Sequence, residues 1–128
     1  MRKSVIRPAW DAGTPAVRVS RHRSDMTVVT VTGALDQPTV RALERVLRQD
    51  RTPRLIVDLS AVPELTPAAA GTISRAHARA RAEQRRFSVV VPQRAAAKVL
   101  AATHAGPQLM RFLTLSDAMR ETPPVLLR

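Results

Sequence analysis

Cysteine is absent from the 128 residues, and aromatic side chains make up only 2% of them. The first absence excludes a disulfide framework, thiol chemistry and Cys-ligated metal. The second nearly removes the stacking platforms on which single-stranded nucleic acid is held. His22, His77 and His104 are far apart and show no paired spacing, so neither a structural zinc site nor any other metal site is expected. The chain has no Gly-rich P-loop, no Gly-x-Ser-x-Gly elbow and no HExxH. Scattered Ser, His and Asp residues do not make a triad, so neither an enzyme nor a cofactor is expected. The apolar runs are strand-sized, too short for a membrane span. The opening "MRKSVIRPAW" lacks the apolar core of a secretory signal. These features predict a soluble cytoplasmic protein with no membrane partner.

What is present is enough for one domain, since hydrophobic residues reach 45% of the chain. The net charge is +11, and every basic residue except Lys3 and Lys98 is arginine. Such a balance fits nucleic acid, an anionic surface or an acidic protein partner. It also fits a plain compositional bias, because arginine and alanine are both abundant and the arginines are spread along the chain.

Residues 1–15 carry Pro8, Gly13 and Pro15 without sustained periodicity and read as a flexible arm, in which Val5, Ile6 and Trp10 either pack on the domain or stay loose. "AVRVSRHR" (Ala16–Arg23) alternates apolar and polar residues as a half-exposed strand does. Ser24-Asp25 makes a turn, and "MTVVTVTGAL" (Met26–Leu35) reads as a second, antiparallel strand with Gly33 allowing a sharp exit. "QPTVRALERVLRQD" spaces Val40, Leu43, Val46 and Leu47 as a helix, with Arg41, Arg45 and Arg48 on its wet side. "RLIVDLS" (Arg54–Ser60) is apolar without alternation, the mark of a strand covered on both faces.

A helix follows, burying Ile73, Ala76, His77 and Ala80; "RFSVVVP" (Arg86–Pro92) is a further buried strand. "RAAAKVLAATHAG" predicts a third helix closed by Gly106, and "RFLTLSDAMRE" a short strand with Ser116 capping a last helix. The order β-β-α-β-α-β-α-β-α calls for an α/β domain, a mixed sheet covered by helices, over residues 16–122 with a tail at 123–128.

That order, with "TGALD" (Thr32–Asp36), "RLIVDLSAVPEL" (Arg54–Leu65) and the later "RAEQRRFSVVVPQRAAAKVLAATH", resembles the STAS domain of anti-sigma factor antagonists. The resemblance covers residues 16–122. It implies a regulatory protein that docks an anti-sigma factor or a related ATPase-fold kinase in transcription regulation. In phosphorylated members of that family, the second helix opens on Asp-Ser-Ser-Gly and the first serine is the acceptor. The likeness puts Thr66 on the aspartate, Pro67 on that serine, Ala68 on the second serine and Ala69 on the glycine, while Gly71 matches a later glycine. Pro67 has no hydroxyl, so the serine switch is not expected to operate. A shift of one residue would place Thr66 on the serine instead, and both registers stand at this point. The family's acid at the end of the second strand falls on Asp36, but the glutamate two residues earlier is replaced by Ala34.

Elementary helix chemistry reads the same stretch differently. Thr66 is a good N-cap, Pro67 suits the first helical position, and Ala68–Ala70 are strong helix formers. Asp36 likewise suits a cap for the helix after it, Asp58 a structural role in its strand, and Glu64 either a contact or a solvated acid. The expected docking set is Asp36, Glu64, Thr66, Pro67, Ala68, Ala69 and Gly71, with Ala69→Arg expected to block docking without unfolding. Thr66 is the sole candidate phosphorylation site in that set. Arg75, Arg79 and Arg86 form a candidate basic face, which supports the alternative of a nucleic-acid-binding or nucleotide-sensing module.

Overall fold

The computed structural model describes residues 5–6, 16–22, 24–105 and 108–120. Among the described residues, six strands lie in sequence order across one sheet: β1 (Val5–Ile6), β2 (Val17–His22), β3 (Met26–Thr32), β4 (Arg54–Ala61), β5 (Arg86–Val90) and β6 (Met110–Phe112). The first three are antiparallel, and β3 to β6 are parallel. The helices are α1 (Gln37–Gln49), α2 (Pro67–Ala82), α3 (Arg94–Ala101) and α4 (Leu115–Arg120).

Side chains on a strand alternate between the two faces of the sheet, and here that alternation divides the core. Val29, Val31, Leu55, Val57, Leu59, Phe87 and Val89 face α1, α2 and α3. Met26, Val28, Ile56, Val90 and Phe112 belong to a smaller cluster with Ala118 of α4. Strand β4 is therefore covered on both sides, as the consecutive apolar residues Leu55, Ile56 and Val57 require. Its neighbours are set by parallel pairing, Val28 to Ile56 on one side and Ile56 to Ser88 on the other.

Several elements differ from the sequence reading. Val5–Ile6 is a short strand, pairing with Ser20 and Val19, within the segment read as an arm. Strand β3 stops at Thr32, short of the expected Leu35, because Gly33 turns the chain at φ +84 and Leu35 drops into the core. Helix α4 is capped by Thr114 rather than Ser116, which lies within it: Thr114 Oγ1 accepts from Asp117 N–H at 3.1 Å. Helix α3 ends at Ala101, and Gly106, its expected terminator, lies outside the described residues, as do Trp10 and the tail at 123–128.

Helix α2 ends in a Schellman turn: Gln84 N–H reaches Arg81 O at 3.0 Å and Arg85 N–H reaches Ala80 O at 2.8 Å. That turn holds Gln84 at φ +58, where a side chain is strained. Gln84→Gly is expected to raise stability by about 1 kcal/mol in urea denaturation. An unchanged or lower midpoint would count against the strained turn.

Beyond it, Arg85 folds back between the elements. Its Nη1 lies 3.4 Å from Asp50 Oδ2 and 3.2 Å from Thr52 O, and its Nε lies 2.8 Å from Glu83 Oε1. The same Asp50 carboxylate accepts from the Thr52 hydroxyl at 2.8 Å. The end of α2 is thereby tied to the loop between α1 and β4.

His77 sits on the buried side of α2, edge-on to Phe87 with 5.9 Å between ring centroids. Burial, reinforced by the Arg81 charge, lowers its pKa from the ordinary 6.5. As pH falls below 6.5, the unfolded chain therefore takes up a proton that the folded chain resists, so stability declines until the folded imidazole also protonates. His77→Leu is expected to flatten this acid loss between about pH 7 and pH 5, measured as urea midpoints. Equal slopes in the two proteins would remove His77 as the cause.

Candidate partner-binding site

In a parallel sheet the strand exits and the helix starts that follow them share one edge. Here three such exits are stitched together. Gly33 N–H donates to Ala61 O at 3.2 Å, joining the turn after β3 to the end of β4. Gln93 Nε2 donates to Ser60 O at 2.8 Å, joining the loop after β5 to the same place. Val62 N–H closes a turn onto Leu59 O at 3.1 Å. Val62 and Leu65 then insert into the core, which pins the β4–α2 loop and leaves Pro63 and Glu64 outward.

Asp36 lies on this edge as the N-cap of α1, its Oδ1 accepting from Thr39 N–H at 3.0 Å. Hydrogen bonding from Thr39, through its hydroxyl and then its N–H, lowers the pKa of the carboxyl from its ordinary value. Thr66 is the N-cap of α2, its Oγ1 accepting from Ala69 N–H at 3.2 Å. Pro67 takes the first helical position, where its missing N–H costs nothing. Pro67 and Ala68 are exposed and Thr66 is half-buried.

Ala69 corrects the sequence reading. It is fully buried in the core, together with Ala70, where the first turn of α2 lies close against the sheet. The periodicity of α2 turns Ala68 outward and Ala69 inward, so Ala69 offers no surface to a partner. Gly71 is half-buried, and a methyl group there would lie 3.5 Å from Arg75 Nη1, an ordinary contact. Asp58 is buried and bonds Ser60 N–H at 3.0 Å and its hydroxyl at 2.7 Å. That is the structural role expected of it.

The expected basic face is divided. Arg75 is exposed on α2 with its Nη2 3.3 Å from Thr72 Oγ1. Arg79 faces α1, where partial burial, then the Arg48 charge, lower its pKa. Arg86 opens β5 in register with Arg54 and lines a small cavity with Phe112 and Ala118, on the α4 side of the sheet. Arg75 and Arg86 thus lie on opposite sides of the sheet, a separation that strand alternation dictates.

Sequence reasoning did not find the Gly33–Ala61 and Gln93–Ser60 bonds that assemble the edge. Glycine after an apolar strand signals the exit, but nothing in the order of residues signals which strand end receives it. Among the described residues, no three metal-ligating side chains come together, and no helix is long and apolar enough to cross a membrane.

Residues 18–119 match the family model described as "Mlab, STAS domain". No curated protein matches the chain. Among solved structures, the chain resembles an anti-sigma factor antagonist from Mycobacterium paratuberculosis at 27% identity and TM-score 0.67, over 82% of this chain and 91% of that one. It also shares the fold of the anti-sigma factor antagonist SpoIIAA in its unphosphorylated form, at 17% identity and TM-score 0.69, over 83% of this chain and 95% of that one. The family match runs from β2 to α4 and takes in the loops of the strand-exit edge, which is most of the sequence: this chain belongs to the STAS domain family.

Proposed function

We propose that this chain is a regulatory, non-enzymatic binding protein of the anti-sigma factor antagonist type. It docks an anti-sigma factor, or a related ATPase-fold kinase, at the strand-exit edge and so acts in transcription regulation. The contact set is Asp36, Glu64, Thr66, Pro67 and Ala68, with Gly71 at its margin. One observation carries the reading: the exposed start of α2 and the Asp36 cap lie on one pinned edge of the sheet, in a chain similar over most of its length to an anti-sigma factor antagonist.

The edge is built to bind without a serine switch. Pro67 cannot accept a phosphoryl group, and the Thr66 oxygen already accepts the Ala69 N–H. Release of the partner then depends on competition or dilution.

The test is a nuclease-treated pull-down from the native host, followed by binding measurements with the recovered protein purified. Recovery of an ATPase-fold anti-sigma factor whose affinity falls at least about 100-fold with Ala68→Arg supports the reading, since a charge at the centre of an interface costs several kcal/mol. Phosphate incorporation on incubating that partner with ATP would overturn the switchless mode. Affinity only for nucleic acid, falling with salt at a slope near −0.9 per phosphate contact, would replace the reading with the basic-surface alternative.

A further inference from the structure

Arg111 is a buried cation whose charge has no acidic partner among the described residues. Only 8% of it is exposed, and it lies in β6 between Met110 and Phe112. Phe112 packs on the α4 side, so alternation sends Arg111 to the side that carries α3. Its Nε donates to Val91 O at 2.8 Å, two residues ahead of Gln93, the N-cap of α3. The guanidinium therefore sits at the base of the first turn of α3. No carboxylate pairs with it among the described residues. Another cation, Arg94, is the first residue of α3.

The helix start above it is also unfilled. Gln93 makes no side-chain cap; its amide is spent on Ser60 O. The N–H groups of Arg94, Ala95 and Ala96 thus lack the side-chain oxygen that Asp36 and Thr66 supply to α1 and α2. Gln93 Oε1 is the only fully enclosed side-chain polar atom without a partner among the described residues, so the terminal nitrogens of Arg111 are not sealed from solvent.

A partly desolvated guanidinium is expensive without a counter-charge, and a second guanidinium beside it adds repulsion. Burial, then Arg94, lower the Arg111 pKa in keeping with this. A tetrahedral oxyanion resolves all three features at once. It accepts the forked N–H groups of Arg111, pairs with Arg94, and meets the positive end of the α3 dipole.

We propose that Arg111, Arg94 and the N–H groups of the first turn of α3 form a binding site for a phosphate-type dianion, either free or as a monoester. It lies next along the same edge from the docking surface and does not depend on it.

The test is an NMR titration of the full chain at low ionic strength with inorganic phosphate, with phenyl phosphate as a minimal monoester, and with chloride as the control. Saturable shifts are expected at the Arg111 Nε–H and the Arg94, Ala95 and Ala96 amides. Tighter binding of inorganic phosphate identifies the free anion as ligand, and tighter binding of phenyl phosphate the monoester. Arg111→Met keeps the length and apolar stem of the side chain, and should weaken either ligand by about tenfold or more. Arg94→Ala, on the exposed helix start, repeats the loss in a variant whose folding is not in question. Shifts no larger than those from chloride, or affinity unchanged in Arg94→Ala, would overturn the proposal.

Discussion

Ala69→Arg is expected to destabilise the domain by about 5 kcal/mol or more, while Ala68→Arg, one residue earlier, stays within about 0.5 kcal/mol of the parent. The two positions have the same residue type in the same helical turn, and only the direction of the side chain differs. Ala69 is fully buried in the core, whereas Ala68 is exposed. A guanidinium at Ala69 costs several kcal/mol in uncompensated charge, and its volume adds about 1–3 kcal/mol of overpacking. A domain of this size has about 5–15 kcal/mol in all. Far-UV circular dichroism in urea and amide dispersion by NMR read both outcomes. A parent-like midpoint for Ala69→Arg would show that α2 does not lie against the sheet in this phase. The pair also separates loss of docking from loss of fold, because only Ala68→Arg is a clean probe of the edge.

Arg85→Ala should cost about 3 kcal/mol or more. The Arg85 side chain is 9% exposed and the Asp50 side chain 5%, so removing the cation strands a buried carboxylate. The Thr52 hydroxyl at 2.8 Å would remain on Asp50, but a neutral donor replaces little of the lost charge. The contrast is Arg48–Glu44 on α1, with side chains 64% and 33% exposed, whose removal should cost no more than about 0.5 kcal/mol. Urea denaturation of the two single variants at low and high salt checks this. The Arg85 loss should persist in salt, because screening reaches exposed pairs and not buried ones. A loss below about 1 kcal/mol would mean that Asp50 finds solvent when Arg85 is gone.

Much of this architecture was legible in the residues because it follows from short-range rules. The run Leu55–Leu59 announced a doubly covered strand, and Leu43, Val46 and Leu47 a half-buried helix. Both helix starts, at Asp36 and Thr66, were readable as caps because a cap depends on residues within a single turn. The errors have the same origin. Ser116 and Thr114 are both good cap residues, and only the end point of β6 chose between them. The Val5–Ile6 strand has no local period to announce it; its pairing with Val19 and Ser20 is a contact distant in sequence.

The site divides along the same line. Composition and order alone pointed to the family and to the alternation of strand and helix, since these depend on residue type and near neighbours. Tertiary structure alone decided that Ala69 faces the core, that Arg86 is cut off from Arg75 by the sheet, and that Gly33 and Gln93 both tie to the end of β4. It also decided that Arg111 is buried in β6 with its Nε on Val91 O. Each of these rests on which strand lies beside which and on how a helix is rotated against a sheet, and those relations are fixed by packing across many intervening residues.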